Sequence, residues 1–577
     1  MAPRLRGSRY LSFFGFGIVA GLVAFALSIF FKISINGLFI PELASQGLIS
    51  ITSGEIESQA VLTLGPLAKY STIIGASVVN ILLYGIIGII SGVIFDRLKI
   101  NKYIIRTGVS TLFSYLILVV IVVIFVILST VPGQPVLIPY SQMAKFILPN
   151  VGFGLIISFL LLGKRSGKSV SASPLSKKGR QIEEDEEKKI ESKANENQPI
   201  DYNKRDMIKA LIISAIALPL IYLGFNRLLH SSDQQQQQQS GSQLSRQAQN
   251  NVTQQILQSK TKPAGFEDPR LTPLLDAEIT PTYLFYRIDI NAIVPVVNAQ
   301  DWNLSIKGLV DNPIAVNYEE IKNMNPVEQF STLVCVSNKI GGNLTSTALW
   351  KGIHLRDLLS KAGVKPNVKY IVFRCSDGYD VGIPFENGMM DGTILAYDMN
   401  KAPLTSEHGY PIRAIVPGFY GMMNPKWITE IELVDKTYEG FWQRKGWTND
   451  PIKNIYSSIV VPGNQPITDR FPHTVADTSF AVGKNIPIAG IAFSGDKGIS
   501  KVEVSTDGGK TWKTAVVKDP LSQYTWVLWT SRFSPEDKGT YDIVVRATDK
   551  TGQTQTSKLE DPFPSGAGGY DHIDVSV

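Results

Sequence analysis

A single cysteine at the end of an apolar run is the first residue of this chain with the means to do chemistry. Cys335 follows Leu333 and Val334 and opens a stretch rich in Ser, Asn and Gly. A thiol that leaves a strand for a polar loop can serve as a nucleophile or as a metal ligand. A buried thiol also packs as a small apolar side chain, and the thiol alone favours this second interpretation. The polar residues around it reverse that preference.

Several charged and polar side chains lie near the ends of predicted strands in the same part of the chain. They are Arg287, Asp377, His408, Arg413, Asn424 and Lys426. Guanidinium and ammonium groups bind phosphate and carboxylate groups, and a soft thiolate binds a transition metal. One thiol and several cations therefore suit a metal held by sulfur and an anionic cofactor held by cations.

The composition removes several classes of protein from consideration. The 577 residues include two cysteines, Cys335 and Cys375, and five histidines, which excludes a disulfide framework and a cysteine-rich metal site. The sequence has no Cys-x-x-Cys-His haem motif and no flavin fingerprint, so we expect no haem or flavin in this chain. The net charge of +6 is small for this length, and we expect no nucleic-acid binding. We interpret Cys375 as a structural residue.

The elements that must position these side chains belong to a multi-domain chain. Strand-like runs mixed with short helical patterns predict an α+β domain at residues 265–450. Short alternating strands and the turn Asp507-Gly508-Gly509-Lys510 predict an immunoglobulin-like β-sandwich at residues 464–577. A Gln- and Ser-rich linker at residues 229–264 precedes both domains.

Residues 1–228 are predicted to be an α-helical membrane bundle with a charged cytoplasmic loop at residues 163–206. Alternate connections between the apolar runs are rich in Lys and Arg, which places the N-terminus in the cytoplasm and everything after the last span outside. The spans contain no histidine and no buried acid, so we expect an anchor rather than a pump. The five predicted spans cover about residues 11–31, 72–95, 107–128, 146–162 and 208–225.

The last span follows the basic run Lys204-Arg205-Asp206-Met207-Ile208-Lys209. This run resembles a twin-arginine export signal, which would carry a folded domain across the membrane. It is equally consistent with ordinary positive charge on the cytoplasmic side of a span. Both interpretations remain open from the sequence.

Seven short motifs follow one another between residues 335 and 427. They are Cys335-Val336-Ser337-Asn338, Trp350-Lys351-Gly352, Leu355-Arg356-Asp357-Leu358-Leu359, Ala396-Tyr397-Asp398-Met399-Asn400, His408-Gly409-Tyr410-Pro411-Ile412-Arg413, Val416-Pro417-Gly418 and Lys426-Trp427. In this order they resemble the molybdenum domain of the sulfite oxidase family of molybdopterin-dependent oxidoreductases. The resemblance covers about the last 310 residues, and the C-terminal sandwich is similar to the dimerisation domain of that family. The membrane part resembles a membrane-anchored bacterial and archaeal branch.

The resemblance implies a molybdenum centre bound by one molybdopterin and one protein thiolate, with oxygen-atom transfer between metal and substrate. Cys335 matches the metal-binding cysteine, and Arg287 matches an arginine near the metal. Arg413 and Lys426 match positions that bind the pterin phosphate. The other matches are Asn338 beside the cysteine, the backbone near Asn424, and, in the pterin pocket, His408 and Asp377.

The sequence departs from the family pattern at two places. Sulfite oxidases follow the cysteine with Gly-Asn-Arg-Arg, whereas this chain has Ser337-Asn338-Lys339-Ile340. Ile340 stands where an arginine helps to hold sulfite, and Asp289 replaces a pterin-contacting histidine. Loss of a bidentate cation costs an anion site about 1.5–3 kcal/mol. These changes argue against sulfite as the substrate, although Lys339 can compensate in part.

We therefore expect a multi-pass cell-membrane protein with an extracytoplasmic molybdopterin domain. We also expect a homodimer formed through the C-terminal domain and a separate cytochrome or copper protein as electron carrier. Sulfite-type oxidation and reduction of an S-oxide or N-oxide remain open, and so does tungsten in place of molybdenum. The rival interpretation is a non-enzymatic surface protein whose immunoglobulin-like domain mediates interactions.

Overall fold

The computed structural model describes residues 2–35, 37–64, 67–129, 145–161, 204–229, 263–291, 293–463 and 480–577. The chain forms two compact units. The first comprises Met1–Ile51 with Tyr70–His230, and the second comprises Thr52–Lys69 with Ser231–Val577. The predicted charged loop (163–206) and linker (229–264) lie for the most part outside the described residues.

The described residues of the N-terminal part of the chain are mainly helical. Its helices are α1 (Ala2–Ile35), α2 (Ile40–Ile51), α3 (Gly54–Leu64), α4 (Leu67–Arg97), α5 (Tyr103–Ser129), α6 (Ile147–Leu160) and α7 (Lys204–Leu229). Helix α3 belongs to the second unit, and the other helices form the first, apart from the first residues of α4.

Length and composition make four of these helices candidates for crossing a membrane, within α1, α4, α5 and α7. Their mean hydropathies lie between 2.1 and 2.4, which is consistent with membrane association. Helix α6 falls at the predicted span 146–162 but has only 14 residues, which is short for a bilayer of about 30 Å at 1.5 Å per residue. The predicted span 208–225 lies inside a candidate of 23 residues.

Small residues bring the first unit's helices close together. A Cβ atom added to Gly88 of α4 would lie 2.5 Å from the Cα atom of Gly17 in α1. Only glycine permits that separation, and such contacts are typical of apolar helix pairs. Phe13, Phe153 and Leu118 fill the space between the helices.

The second unit begins with an α+β domain built on two sheets. Its strands are β1 (Asn303–Gly308), β2 (Ile314–Asn317), β3 (Val327–Val334), β4 (Thr345–His354), β5 (Tyr370–Cys375), β6 (Asp380–Pro384), β7 (Ile394–Met399), β8 (Ala402–Pro403), β9 (Arg413–Ile415) and β10 (Ile428–Val434). One sheet has the order β2-β1-β10-β5-β6, in which β1 and β10 are parallel. The other has the order β3-β4-β7-β8, with β9 on β7.

Short helices cover the sheets of this domain. They are α8 (Thr272–Asp276), α9 (Tyr318–Lys322), α10 (Leu355–Ala362) and α11 (Phe385–Gly388). Helix α10 is amphipathic, since Leu355, Leu358 and Leu359 share one buried face at helical spacing. The same core takes in the apolar centre of β5, with Ile371 and Phe373 fully buried.

The C-terminal domain consists of two four-stranded antiparallel sheets that share one apolar core. Its strands are β11 (Tyr456–Val461), β12 (Ile486–Phe493), β13 (Ile499–Ser505), β14 (Lys513–Thr514), β15 (Val516–Val517), β16 (Val527–Phe533), β17 (Thr540–Asp549) and β18 (Asp571–Ser576). Strand β11 pairs with β12, so these sheets start before the predicted boundary at residue 464. Pro462 and Gly463 follow β11, and this pair of residue types indicates a boundary in the sequence. The coarse prediction of apolar helices, then an α+β domain, then a β-sheet domain is confirmed.

Candidate active site

Cys335 lies directly after β3, at the start of a tight turn. The last four residues of β3 are buried, so the strand delivers the thiol from the core. The Cys335 amide donates to Leu344 O at 2.9 Å, and the Asn338 amide donates to Cys335 O at 3.0 Å. The Cys335 Sγ atom lies 3.0 Å from Ser337 Oγ. Burial raises the pKa of the Cys335 thiol.

The thiol lines a cavity that is partly open to solvent. Seven of the eight predicted site residues line it, although they come from distant parts of the chain. They are Arg287, Cys335, Asp377, His408, Arg413, Asn424 and Lys426.

Asn338 is the predicted site residue that the structure does not bring to this cavity. It lines a separate, smaller cavity with Val334, Tyr420 and Tyr456. Its Oδ1 atom accepts a hydrogen bond of 2.9 Å from the Leu344 amide. The Asn338 side chain therefore braces the loop that holds Cys335.

An ionic cluster occupies one wall of the cavity. The Lys426 ammonium contacts the Asp289 carboxylate and donates to Glu407 O at 3.0 Å. Arg287 Nε lies 3.2 Å from Asp289 Oδ2, and Arg287 Nη1 lies 3.7 Å from Glu407 Oε1. Burial, partly offset by Asp289, lowers the pKa of Lys426 to about 8. Both cations of this cluster therefore have carboxylate partners already.

Arg413, unlike Lys426 and Arg287, donates hydrogen bonds to carbonyl groups instead of carboxylates. Its guanidinium donates to two carbonyl groups, His408 O at 3.2 Å and Asn424 O at 3.3 Å, and stacks 4.9 Å from the Trp350 ring. Its Nε atom is buried and finds no hydrogen-bond partner among the described residues. Burial lowers the pKa of Arg413 to about 10, which still leaves it charged at neutral pH. A buried cation with an unused donor fits an anionic ligand.

The remaining predicted residues have more local roles in the geometry. His408 Nε2 lies 3.0 Å from Thr282 O, and burial lowers the pKa of His408 to about 3, so its ring is neutral. Asp377 accepts from the Tyr379 amide at 3.0 Å, and burial raises the pKa of Asp377 to about 7. Asn424 Oδ1 accepts from the Val416 amide at 2.7 Å. The Asn424 side chain thus shapes a loop, and its carbonyl faces Arg413.

The sequence interpretation missed one wall of the cavity. Glu57, Ser58 and Val61 of α3 and the side chain of Trp447 form this wall, next to Trp442. Glu57 was missed because it lies between two predicted spans, in a stretch that looks like a connecting loop. It is held by an ion pair to Lys445, 388 positions away, with a distance of 2.8 Å between Nζ and Oε1.

A buried carboxylate anchors the loop that carries the two tryptophans. The Arg444 guanidinium donates to both oxygens of Asp380, at 2.8 and 2.6 Å, and Tyr438 Oη donates to Asp380 Oδ2 at 2.6 Å. Asp380 is fully buried. Residues 438–447 are thereby fixed with Trp442 and Trp447 towards the cavity.

The cavity fits a metal whose ligands come mainly from a bound cofactor. Within the described ranges, no three His, Cys, Asp or Glu side chains converge as a ligand set. Cys335 offers one thiolate, and Arg413 offers an unused donor on a buried cation. This donor set suits a metal bound by one protein sulfur and by an organic cofactor that carries an anionic group.

Comparison with protein families places this geometry in a known class. Residues 291–442 match the oxidoreductase molybdopterin binding domain, and residues 455–560 match the Mo-co oxidoreductase dimerisation domain. The cavity thus belongs to a molybdopterin-binding oxidoreductase, and the dimerisation domain supports a homodimer.

Individual relatives agree with that class. NADH nitrate reductase of Solanum lycopersicum is 28% identical over 356 residues, covering 52% of this chain and 38% of that protein. Mitochondrial sulfite oxidase of Drosophila melanogaster is 28% identical over 346 residues, covering 53% and 60%. Sulfite oxidase of Arabidopsis thaliana is 26% identical over 349 residues, covering 52% and 87%. This chain belongs to the sulfite oxidase family of molybdenum-cofactor oxidoreductases.

The relatives are matched over only part of their length. The chain spans less than two thirds of the length of the nitrate reductase and of the Drosophila enzyme. The solved sulfane dehydrogenase SoxCD from Paracoccus pantotrophus aligns over 55% of this chain and 90% of its own, with 22% identity and a TM-score of 0.45.

Proposed function

We propose that this protein is a membrane-anchored oxidoreductase that transfers an oxygen atom between a small substrate and a molybdenum centre. The observation that carries the proposal is the shared cavity of Cys335 and Arg413. It places a thiol and a buried cation with an unused donor together. Molybdopterin supplies the metal, its dithiolene ligands and the capacity for two-electron oxygen-atom transfer.

The chain's own residues hold that group from two sides. Cys335, deprotonated, is the protein ligand to the metal, because a soft thiolate suits high-valent molybdenum. Arg413 and Lys426 bind the cofactor phosphate, with Arg413 as the stronger determinant because its buried Nε atom has no hydrogen-bond partner within the described residues. Asp377, His408 and the Asn424 carbonyl line the remaining wall around the pterin.

Arg287 lies beside the reacting centre in this proposal. Its guanidinium is held by Asp289 and Glu407, so it is oriented before any substrate arrives. Asn338 acts one step away, by bracing the turn that presents Cys335.

The membrane arrangement extends the proposal to the whole chain. The basic connections favour a cytoplasmic N-terminus and an extracytoplasmic catalytic domain. In this proposal the membrane region covers residues 1–228 and the molybdopterin domain residues 265–450. The last domain, predicted at residues 464–577, also includes β11 and is an immunoglobulin-like sandwich that pairs two chains. Reporter fusions after residue 100 and after residue 262 test the proposed membrane topology. The first junction should lie in the cytoplasm and the second outside it.

Electrons pass to or from the molybdenum centre through a separate cytochrome or copper protein. The sequence has no haem-attachment motif or flavin fingerprint, which supports an external carrier. Redox titration of the purified protein tests this point. The molybdenum centre should titrate alone, and a second internal centre would contradict the proposal.

Cys335→Ser tests the proposed function directly. Metal analysis of the wild-type protein should find about one molybdenum per chain, or tungsten if that metal takes its place, and the variant should lose the metal. Cys375→Ser is the matched control, because Cys375 is also buried but does not line the cavity. A stable, metal-free wild-type protein from a molybdenum-replete host would favour a non-enzymatic surface protein instead.

A further inference from the structure

Helix α3 forms a wall of the cofactor cavity although it lies far from the catalytic domain in sequence. Glu57, Ser58 and Val61 face the cavity. The helix is held in place by Lys445, whose Nζ atom lies 2.8 Å from both Glu57 Oε1 and Thr52 O. Gly54 lets the helix approach, since a Cβ atom there would lie 2.8 Å from Trp447 Nε1.

Three buried polar atoms on this wall lack hydrogen-bond partners among the described residues. They are Glu57 Oε2, Ser58 Oγ and Trp447 Nε1. Ser58 and Trp447 are 2% and 4% exposed, and both line the same cavity as Cys335. Unsatisfied buried polar atoms are costly, so a cluster of them marks the place of a polar ligand.

The charges of the cavity disfavour an oxyanion at this wall. Its lining has three cationic side chains, Arg287, Arg413 and Lys426, and three acidic ones, Glu57, Asp289 and Asp377. Arg287 and Lys426 have carboxylate partners, and the proposed function assigns Arg413 to the cofactor phosphate. Lys445 contacts Glu57 but does not line the cavity. Lys445 holds Glu57 Oε1, so Glu57 Oε2 is the acidic oxygen that a substrate at this wall meets.

We infer that Glu57, Ser58 and Trp447 form a substrate subsite for an uncharged oxo compound, such as a sulfoxide or an amine oxide, or its reduced form. This inference rests on the proposed function and specifies its substrate class. The Ser58 hydroxyl and the Trp447 N–H donate to the polar oxygen of the substrate. The Glu57 carboxylate excludes oxyanions such as sulfite and nitrate by repulsion.

The test uses the full-length, molybdenum-loaded protein with dimethyl sulfoxide, trimethylamine N-oxide, sulfite and nitrate as probes. Dissociation constants come from tryptophan fluorescence, and KM and kcat come from assays with artificial electron carriers. Glu57→Gln should strengthen binding of the two oxyanions about tenfold relative to the uncharged oxides, because one like charge is removed. Glu55→Gln is the matched control, since Glu55 is exposed on the same helix.

Ser58→Ala is an independent variant that keeps all charges. It should raise the KM of the uncharged oxide about five- to tenfold, the effect of one lost hydrogen bond, and change kcat less. It should leave the preference between charged and uncharged probes intact. A general loss of structure would instead weaken all four probes together.

The outcomes separate this inference from the proposed function. A wild-type protein that binds sulfite or nitrate more tightly than both uncharged oxides overturns the subsite. The subsite is also overturned if molybdenum-loaded Glu57→Gln and Glu55→Gln proteins have the same four dissociation constants. In both cases the oxidoreductase function stands, whereas absence of molybdenum and tungsten from the wild-type protein overturns the function and the subsite together.

Discussion

Arg413 carries a positive charge into the protein interior and forms no direct ion pair within the described residues. Two long hydrogen bonds to carbonyl groups and the face of Trp350 are its contacts in the described structure. An unpaired buried charge destabilises the fold, so its presence is explained by a ligand that pairs with it. Replacing Arg413 by a neutral residue should therefore weaken cofactor binding, while the stability of the cofactor-free protein should stay the same or rise.

Arg413→Gln should weaken cofactor retention by one to two orders of magnitude, the equivalent of about 1.5–3 kcal/mol for a charge-assisted hydrogen bond. The metal-free variant should unfold at the same temperature as the metal-free wild type or above it, since an unpaired buried charge is removed. Molybdenum content after dialysis and thermal unfolding measure the two effects.

Arg356→Gln serves as the control for this prediction. Arg356 pairs with Asp391 at the surface, and such pairs contribute about 0–1 kcal/mol. Neither molybdenum content nor the unfolding temperature should change appreciably. A metal-free Arg413→Gln protein that is several kcal/mol less stable would assign the residue a structural role.

For single residues, the sequence predicts which side chains can do chemistry better than it predicts which atoms those side chains contact. Cys335 and Arg413 were identified because both stand in motifs next to strand ends. Asn338 stands in the same motif, yet the turn after Cys335 directs its side chain to the Leu344 amide. Glu57 has no local signal at all, because its ion pair with Lys445 forms only once the chain is folded.

Among the elements, the loop at residues 438–447 depends on one buried carboxylate. Arg444→Met should destabilise the protein by about 3–5 kcal/mol, because it leaves the fully buried Asp380 without its cation. Asp380→Asn should cost less, since the Arg444 side chain is 25% exposed and can turn to water. Urea unfolding of the purified protein compares the two, and equal losses would contradict this account.

Strand β18 gives the C-terminal domain a pH dependence. Asp571 is buried and accepts from the Ile459 amide at 2.8 Å, and burial raises the pKa of Asp571 to about 7. The folded state therefore holds a proton that the unfolded state releases near pH 4. Stability should fall by roughly 2–4 kcal/mol as the pH rises from 4 to 7, and then level off.

Asp571→Asn should remove this part of the pH dependence, because an amide keeps the acceptor without titrating. Asp574→Asn is the matched control on the same strand, with an exposed side chain. Thermal unfolding at pH 5 and pH 8 reports both variants. The wild type should be less stable than Asp571→Asn at pH 8 and about as stable at pH 5. A wild type that is the more stable of the two at pH 8 would refute the prediction.

The order of the elements could be predicted from hydrophobic patterns, while their ends could not. The run at residues 146–162 has the composition of a span, but α6 stops after 14 residues. Strand β11 was assigned outside the C-terminal domain because Pro462 and Gly463 follow it. The composition of a run therefore does not fix the ends of its helix, and a Pro-Gly pair does not by itself mark a domain boundary.

For the whole molecule, the dimerisation domain implies an assembly of two chains. Light scattering of the detergent-solubilised protein should give a protein mass of twice 63.5 kDa, after correction for bound detergent. The mass should stay at that value on dilution over about tenfold, as expected for a stable symmetric interface. A mass of one chain at all concentrations would rule out the homodimer.

The contribution of α3 to the cavity also restricts how the gene can change. Enzymes often acquire new anchors when recombination joins a complete domain to a different membrane segment. Here an exchange within the linker would separate Glu57 and Ser58 from Cys335, and the recombinant enzyme would lack one wall of its cavity. We therefore expect the anchor and the enzyme to be inherited as one unit, with α3 as a place where mutation can change the cavity wall.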